Sequence, residues 1–242
     1  MKETDALLVV DSVSGVGGLE MGQDEWGVDV VVTASQKALM CPPGLGIVSV
    51  SEKAFSVIRR NSSSQRFYWD FDRASNMMKE GETPFTTPVP LVKALVMALQ
   101  LMHAEDLQLV LKRHRVLFDA LRVGCAALGL GDATQASQKS PTVVVSELPA
   151  SLLGAQFVKS LYENFGTVIA ASVGEANAHK IRIKTMGAIT YDDIALDLNQ
   201  IEAVLNTNGR NIEAGMGEKA ARAYVRRCGM FDTLGLSSGG RQ

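Results

Sequence analysis

Two short apolar runs, each leading to a reactive side chain, constrain this chain more than any other feature. The first is Ala6-Leu7-Leu8-Val9-Val10, closed by Asp11; the second is Val30-Val31-Val32-Thr33-Ala34-Ser35-Gln36, closed by Lys37. Runs without polar alternation read as strands covered on both faces, the kind found in parallel sheets beneath helices. Open α/β sheets bind ligands at the carboxyl ends of their strands. The pattern therefore sets an acid and an amine on one rim. A lysine can hold an aldehyde cofactor as a Schiff base, and an aspartate can keep a pyridine nitrogen protonated so that the ring accepts electrons.

The chain has 242 residues, enough for one large or two modest domains with real cores. A net charge of −2 argues against general binding to nucleic acid or a membrane surface, since neither sign dominates. Cys41, Cys125 and Cys228 are odd in number and form no C-x-x-C pair, so disulfides and structural zinc are not expected. A reducing, intracellular setting follows, cytoplasmic or peroxisomal. No apolar run approaches the roughly 18 residues a membrane span needs.

Residues 7–11, 28–33 and 46–50 read as three buried strands, and Ser51 as the N-cap of a helix. Residues 60–87 are polar and irregular, a long loop of the functional or subunit-contacting kind. Helices are predicted over 88–101 and 106–128, the second stopped by Gly129-Leu130-Gly131. Strands at 142–146, 167–171 and 180–184 and helices at 150–164 and 191–205 form a small α+β unit. The domains expected are 1–110, 111–207 and a basic tail, 208–242, that is helical or disordered. His103, His114 and His179 are scattered, and no metal-ligand spacing or Ser-His-Asp order emerges. The glycines from Ser14 to Gly18 lack the full G-x-G-x-x-G of a nucleotide loop.

Several strings in order carry a resemblance. They are Asp11-Ser12-Val13-Ser14-Gly15-Val16-Gly17-Gly18, Asp24-Glu25-Trp26-Gly27-Val28-Asp29, Ser35-Gln36-Lys37-Ala38-Leu39-Met40 and Pro42-Pro43-Gly44. Phe67-Tyr68-Trp69-Asp70, Thr86-Thr87-Pro88 and Ile181-Arg182-Ile183-Lys184-Thr185-Met186-Gly187 follow. Together they resemble class V aminotransferases, nearest the alanine–glyoxylate and serine–pyruvate (serine–glyoxylate) group. The likeness begins almost at residue 1, on the strand ending at Asp11. It implies the C-terminal part of such an enzyme: the end of an α/β large domain, mainly parallel sheet with helices, then a small α+β domain. The family's glycine-containing phosphate loop and ring-stacking aromatic would precede it.

The resemblance implies pyridoxal 5′-phosphate as cofactor and Lys37 as the catalytic Schiff-base lysine, which also moves the proton between the substrate α-carbon and the cofactor. It implies Asp11 on the pyridinium nitrogen, Val13 against the ring, and Ser35, Gln36 and Thr86 (or Thr87) as further cofactor contacts. Phe85 stands where a phosphate-binding tyrosine often lies. Arg182 would fork onto the substrate carboxylate, a geometry lysine cannot copy. The reaction implied moves an amino group from alanine or serine to an α-keto acid, glyoxylate foremost, in a homodimer. Two alternatives stand beside it. One is a cysteine desulfurase-like lyase, which needs a mobile cysteine. The other is a non-catalytic remnant that modulates a full-length homologue.

Overall fold

In the computed structural model, which describes residues 4–61, 64–134, 139–230 and 234, the two apolar runs lie side by side. Strand β1 (Val9–Asp11) pairs in parallel with β2 (Val30–Ala34), Val9 opposite Val30 and Asp11 opposite Val32. The short helix α1 (Gln23–Trp26) lies between them in sequence. Strand β3 (Gly46–Val50) joins the other side of β2 antiparallel, Ala34 opposite Gly46. The strands are less covered than their composition predicts. Val9 is 60% exposed, and β3 exposes Gly46 and Ser49. Residue type says that a strand tolerates burial; only packing elements supply it.

Asp29 fixes the base of this sheet. Its buried carboxylate accepts the Leu8 N–H at 2.9 Å and the Ser51 hydroxyl at 2.9 Å, joining the entry to β1 with the cap of helix α2 (Glu52–Arg60). Ser51 accepts the Ala54 N–H at 3.1 Å, so the cap predicted from sequence is present. The stretch expected to be irregular contains a helix, α3 (Phe71–Lys79). Asp70 starts it by accepting the N–H groups of Asp72 and Arg73 at 3.0 and 3.1 Å. Polar composition hid α3, because a half-covered helix needs only a narrow apolar stripe. Helix α4 (Val89–Glu105) follows Pro88 and ends this unit, Met1–Glu105.

The second unit, Asp106–Gln242, is built around α5 (Leu107–Ala127). Asp106 caps it by accepting the Gln108 N–H at 2.8 Å. A sheet of order β4-β5-β7-β6 comprises β4 (Gly131–Asp132), β5 (Val143–Glu147), β6 (Ala170–Ala171) and β7 (Lys180–Lys184), every neighbouring pair antiparallel. The strand expected over 167–171 is confined to Ala170–Ala171. Helices α6 (Gly154–Phe165) and α7 (Tyr191–Thr207) complete the layers, α7 opening on a capping box between Thr190 and Asp193. The core joins Leu117, Leu121, Leu161, Ile181, Ile194 and Leu198, all fully buried.

Within the tail, α8 (Met216–Arg227) forms and buries Ala221 and Val225 in that core. Gly124 permits the close approach of the helices: a Cβ there would stand 2.5 Å from a Leu198 methyl. Among the described residues, no single helix is long and apolar enough to cross a membrane.

One half-buried acid makes this unit pH-sensitive. Burial, reinforced by Asp193 one turn earlier, pushes the Asp197 carboxyl up to about 6. A raised carboxyl means that the folded state binds the extra proton between that value and about 4, where the unfolded chain titrates. Stability therefore rises as pH falls through 6 and levels off below about 4. Asp197→Asn should stabilise by about 1–2 kcal/mol at pH 8, after allowance for partial solvent screening, and by almost nothing at pH 3.5. Urea melts at both pH values test this; an equal effect at the two would refute it.

Candidate active site

The parallel register brings Asp11 and Lys37 to the same rim, because each follows the carboxyl end of one of two adjacent strands. After Asp11 the chain folds into consecutive tight turns. Gly15 and Val16 donate to Ser12 O at 2.9 and 3.1 Å, and Gly18 and Leu19 donate to Gly15 O at 2.8 and 2.9 Å. Gly15 leaves room for the Ser12 hydroxyl: a Cβ there would meet it at 2.3 Å, and Ser12 would have to turn away. Asp11 is exposed, and its Oδ1 accepts the Val13 N–H at 3.0 Å. Its Oδ2 has no hydrogen bond among the described residues. Val13 is half-buried beside it.

The segment after β2 is a clamp centred on Ser35. Its fully buried hydroxyl donates to Pro42 O at 2.7 Å and accepts the Leu45 N–H at 3.3 Å. Its backbone accepts from Cys41 N at 2.9 Å and donates to Leu45 O at 3.1 Å. Met40 closes the loop with φ 62° and donates to Lys37 O at 3.0 Å, a left-handed conformation that a side-chain-bearing residue adopts at a cost of about 1 kcal/mol. Lys37 is thus held by its backbone, half-buried, and among the described residues its ammonium has no hydrogen bond or ion pair. Gln36 is exposed. The Ser35 hydroxyl is spent on this loop and fixes the backbone that leads to Lys37. Ser35→Ala should leave the Leu45 N–H and Pro42 carbonyl unpaired and cost about 1–3 kcal/mol. A denaturant midpoint unchanged by that substitution would refute the clamp.

Around residue 85 the sequence missed an aromatic cluster. Phe85 stacks on Tyr68 at 4.7 Å and meets Phe67 edge-on at 5.5 Å, while the Arg73 guanidinium lies 4.9 Å over both phenylalanine rings. Thr87 Oγ1 is engaged with Thr83 Oγ1, whereas Thr86 is exposed and its hydroxyl has no bond among the described residues.

In the second unit Arg182 is exposed on β7 and donates to Ala171 O at 3.2 Å, without an ion pair among the described residues. The loop after β7 is held from α5, a contact that helix periodicity could not reveal. His114 Nε2 accepts the Gly187 N–H at 2.9 Å and its Nδ1 donates to Val110 O at 2.7 Å, which fixes the neutral tautomer. Arg113 donates to Gly187 O and Ile189 O at 2.9 and 3.2 Å.

Cys41 and Cys125 offer no mobile nucleophile. Cys41 is buried with its thiol donating to Leu39 O at 3.4 Å, and burial pushes the Cys125 thiol up to about 12. Among the described residues no group of acids, histidines and cysteines could hold a metal ion.

Residues 1–189 match the family model described as aminotransferase class-V. The serine–glyoxylate aminotransferase of Methylorubrum extorquens is 33% identical over 226 residues, covering 91% of this chain and 56% of that protein. The serine–glyoxylate aminotransferase of Arabidopsis thaliana is 32% identical, covering 91% of this chain and 55% of its own length. The crystal structure of ureidoglycine–glyoxylate aminotransferase from Bacillus subtilis superposes with a TM-score of 0.83 at 31% identity, covering 92% of this chain and 58% of that one. The chain therefore spans a little over half the length of the relatives it matches.

Proposed function

The chain belongs to the aminotransferase class-V family, and from that premise we propose that it contributes a pyridoxal-phosphate site for transamination with glyoxylate as amino acceptor. The observation that carries the proposal is the parallel pairing of β1 with β2, which sets the Asp11 carboxylate and the Lys37 amine on one rim. The residues suit the cofactor. Among the described residues one Asp11 carboxylate oxygen has no hydrogen bond and could accept from a pyridinium N–H, Val13 offers an apolar surface beside it, and the Lys37 amine has no competing partner.

When bound, pyridoxal phosphate would supply an electron sink for the electrons released from the substrate α-carbon. Lys37 would hold its aldehyde carbon as a Schiff base, and once displaced by the substrate amine would take the α-proton and return it to that cofactor carbon, on the far side of the nitrogen. Asp11 would keep the ring nitrogen protonated. Gln36 is exposed next to Lys37, and Thr86 rather than Thr87 has a free hydroxyl, so these two side chains are the proposed phosphate and ring-oxygen contacts. Arg182 would fork onto the substrate carboxylate. The lack of an ion pair at Arg182 among the described residues supports that role.

Alanine or serine is the proposed donor, after the group the strings resemble and the serine–glyoxylate relatives. A homodimer accompanies the proposal. Exposed Phe67, Tyr68 and Trp69, at 69, 67 and 80%, support a covered interface there. Buried Cys41 and Cys125 argue against a desulfurase-type reaction. The test is to titrate the purified chain with pyridoxal phosphate, reduce with borohydride and map the labelled peptide. A single pyridoxyl adduct on Lys37 is the expected result, and label scattered over surface lysines would refute it.

A further inference from the structure

The outward face of β7 carries charge that the sheet does not neutralise. Lys180, Arg182 and Lys184 alternate with buried Ile181 and Ile183, so all three cationic residues lie on one face. The register with β5 sets Glu147 opposite Lys180, but Val145 opposite Arg182 and Val143 opposite Lys184. On the other side, Ala170 of β6 stands opposite Arg182. Among the described residues that these registers set opposite β7, the one acid faces Lys180, whose ammonium donates to Asn177 Oδ1 at 3.0 Å. Among the described residues Lys184 has no hydrogen bond and no ion pair, and Arg182 has only its bond to Ala171 O.

Two like charges without a counter-charge, two residues apart on a strand and so about 7 Å apart at their Cα atoms, raise each other's energy. An anion reaching both would relieve that repulsion. The backbone that holds them is fixed. Thr185 donates its N–H to Thr142 O at 3.0 Å and its hydroxyl to Pro141 O at 2.9 Å, immediately after Lys184. Val143 and Val145 give the patch an apolar floor between the charges, suited to the methylene carbons of a short diacid.

We propose that Lys184 is a second carboxylate contact beside Arg182, which extends the activity to substrates bearing two carboxylates: acidic amino acids and dicarboxylic keto acids. The inference rests on the reading of Arg182 as the fork for the α-carboxylate. Arg182 takes that group in a planar, bidentate grip. Lys184, a point charge on a flexible stem, takes the distal carboxylate and tolerates some variation in its distance. An amino acid without a distal carboxylate still binds through Arg182, leaving Lys184 solvated.

The probes are succinate and propionate, which differ in the distal carboxylate, titrated into the full chain and followed by amide NMR shifts of strands β5 and β7. Succinate should bind about tenfold more tightly than propionate, the gain of one charge-assisted contact. Lys184→Met should erase that preference and leave propionate affinity within about twofold, as expected for an exposed residue. Arg182→Gln should weaken both acids. A succinate preference that survives Lys184→Met, with propionate binding still lost in Arg182→Gln, overturns the Lys184 assignment and leaves the Arg182 reading standing. Equal affinities in the unaltered chain do the same. If neither acid binds, or Arg182→Gln changes nothing, both readings fall together.

Discussion

Lys37→Ala is expected to reduce borohydride-trapped pyridoxyl adduct from one per chain to none, while the fold is left intact. The amine has no hydrogen bond or ion pair among the described residues and is half-buried, so its loss should shift stability by no more than about 0.5 kcal/mol. The loop that carries it is held by Ser35 and Met40, neither of which uses the lysine side chain. Chemistry should suffer far more than structure. Losing the proton-transfer group alone lowers rates by about 100- to 10,000-fold, and loss of covalent capture adds to that. Lys37→Arg is the sharper control, since it keeps the charge but lacks an amine that can form the imine. Stoichiometric adduct on a different lysine in either variant would show that Lys37 is not the anchor.

Glu202→Ala should lower the stability of the second unit by loosening helix α8. Glu202 is buried on α7, and its two carboxylate oxygens accept the N–H groups of Gly215 and Met216 at 2.9 and 3.0 Å, at the start of α8. A carboxylate at a helix N-terminus satisfies unpaired donors and opposes the helix dipole. Removing it takes the carboxylate partner from the half-buried Gly215 N–H, while the Met216 N–H keeps its bond to Glu213 O at 3.1 Å, and costs about 1–2 kcal/mol. That corresponds to a fall in Tm of roughly 5 °C for a unit of this size. Glu202→Gln, which retains an acceptor oxygen, should lose about half as much. Hydrogen exchange resolves the cause: amides of α8 should exchange faster in Glu202→Ala while those of β5 and β7 change less. If α8 exchanged no faster, the carboxylate would not be what holds it.

The Asp11–Lys37 rim was legible because it is local. Each residue ends a run whose strand character comes from β-branched side chains, and two adjacent parallel strands necessarily present their carboxyl ends on the same edge. The Ser51 cap was legible for the same reason, since donor and acceptor lie three residues apart. The α3 helix was not, because its apolar stripe is narrow and its cap at Asp70 sits amid polar residues that read equally well as loop. Burial of the strands was overstated, because a valine cannot report whether anything lies above it.

Residue order alone marked an acid and an amine at strand ends and an arginine on an alternating strand, and it marked the segments able to form strands or long helices. Periodicity and strand ends encode those within a few residues. Only the tertiary structure decided that Ser35 is a clamp, that Thr86 keeps a free hydroxyl, and that Lys184 faces valine where Lys180 faces Glu147. Each depends on partners brought together by register or by chain turns. So does the Glu202 contact with α8, which joins two helices through a carboxylate whose own sequence neighbourhood is an ordinary helix. Local energetics wrote the elements; the pairing of distant segments chose which side chains were left free to bind.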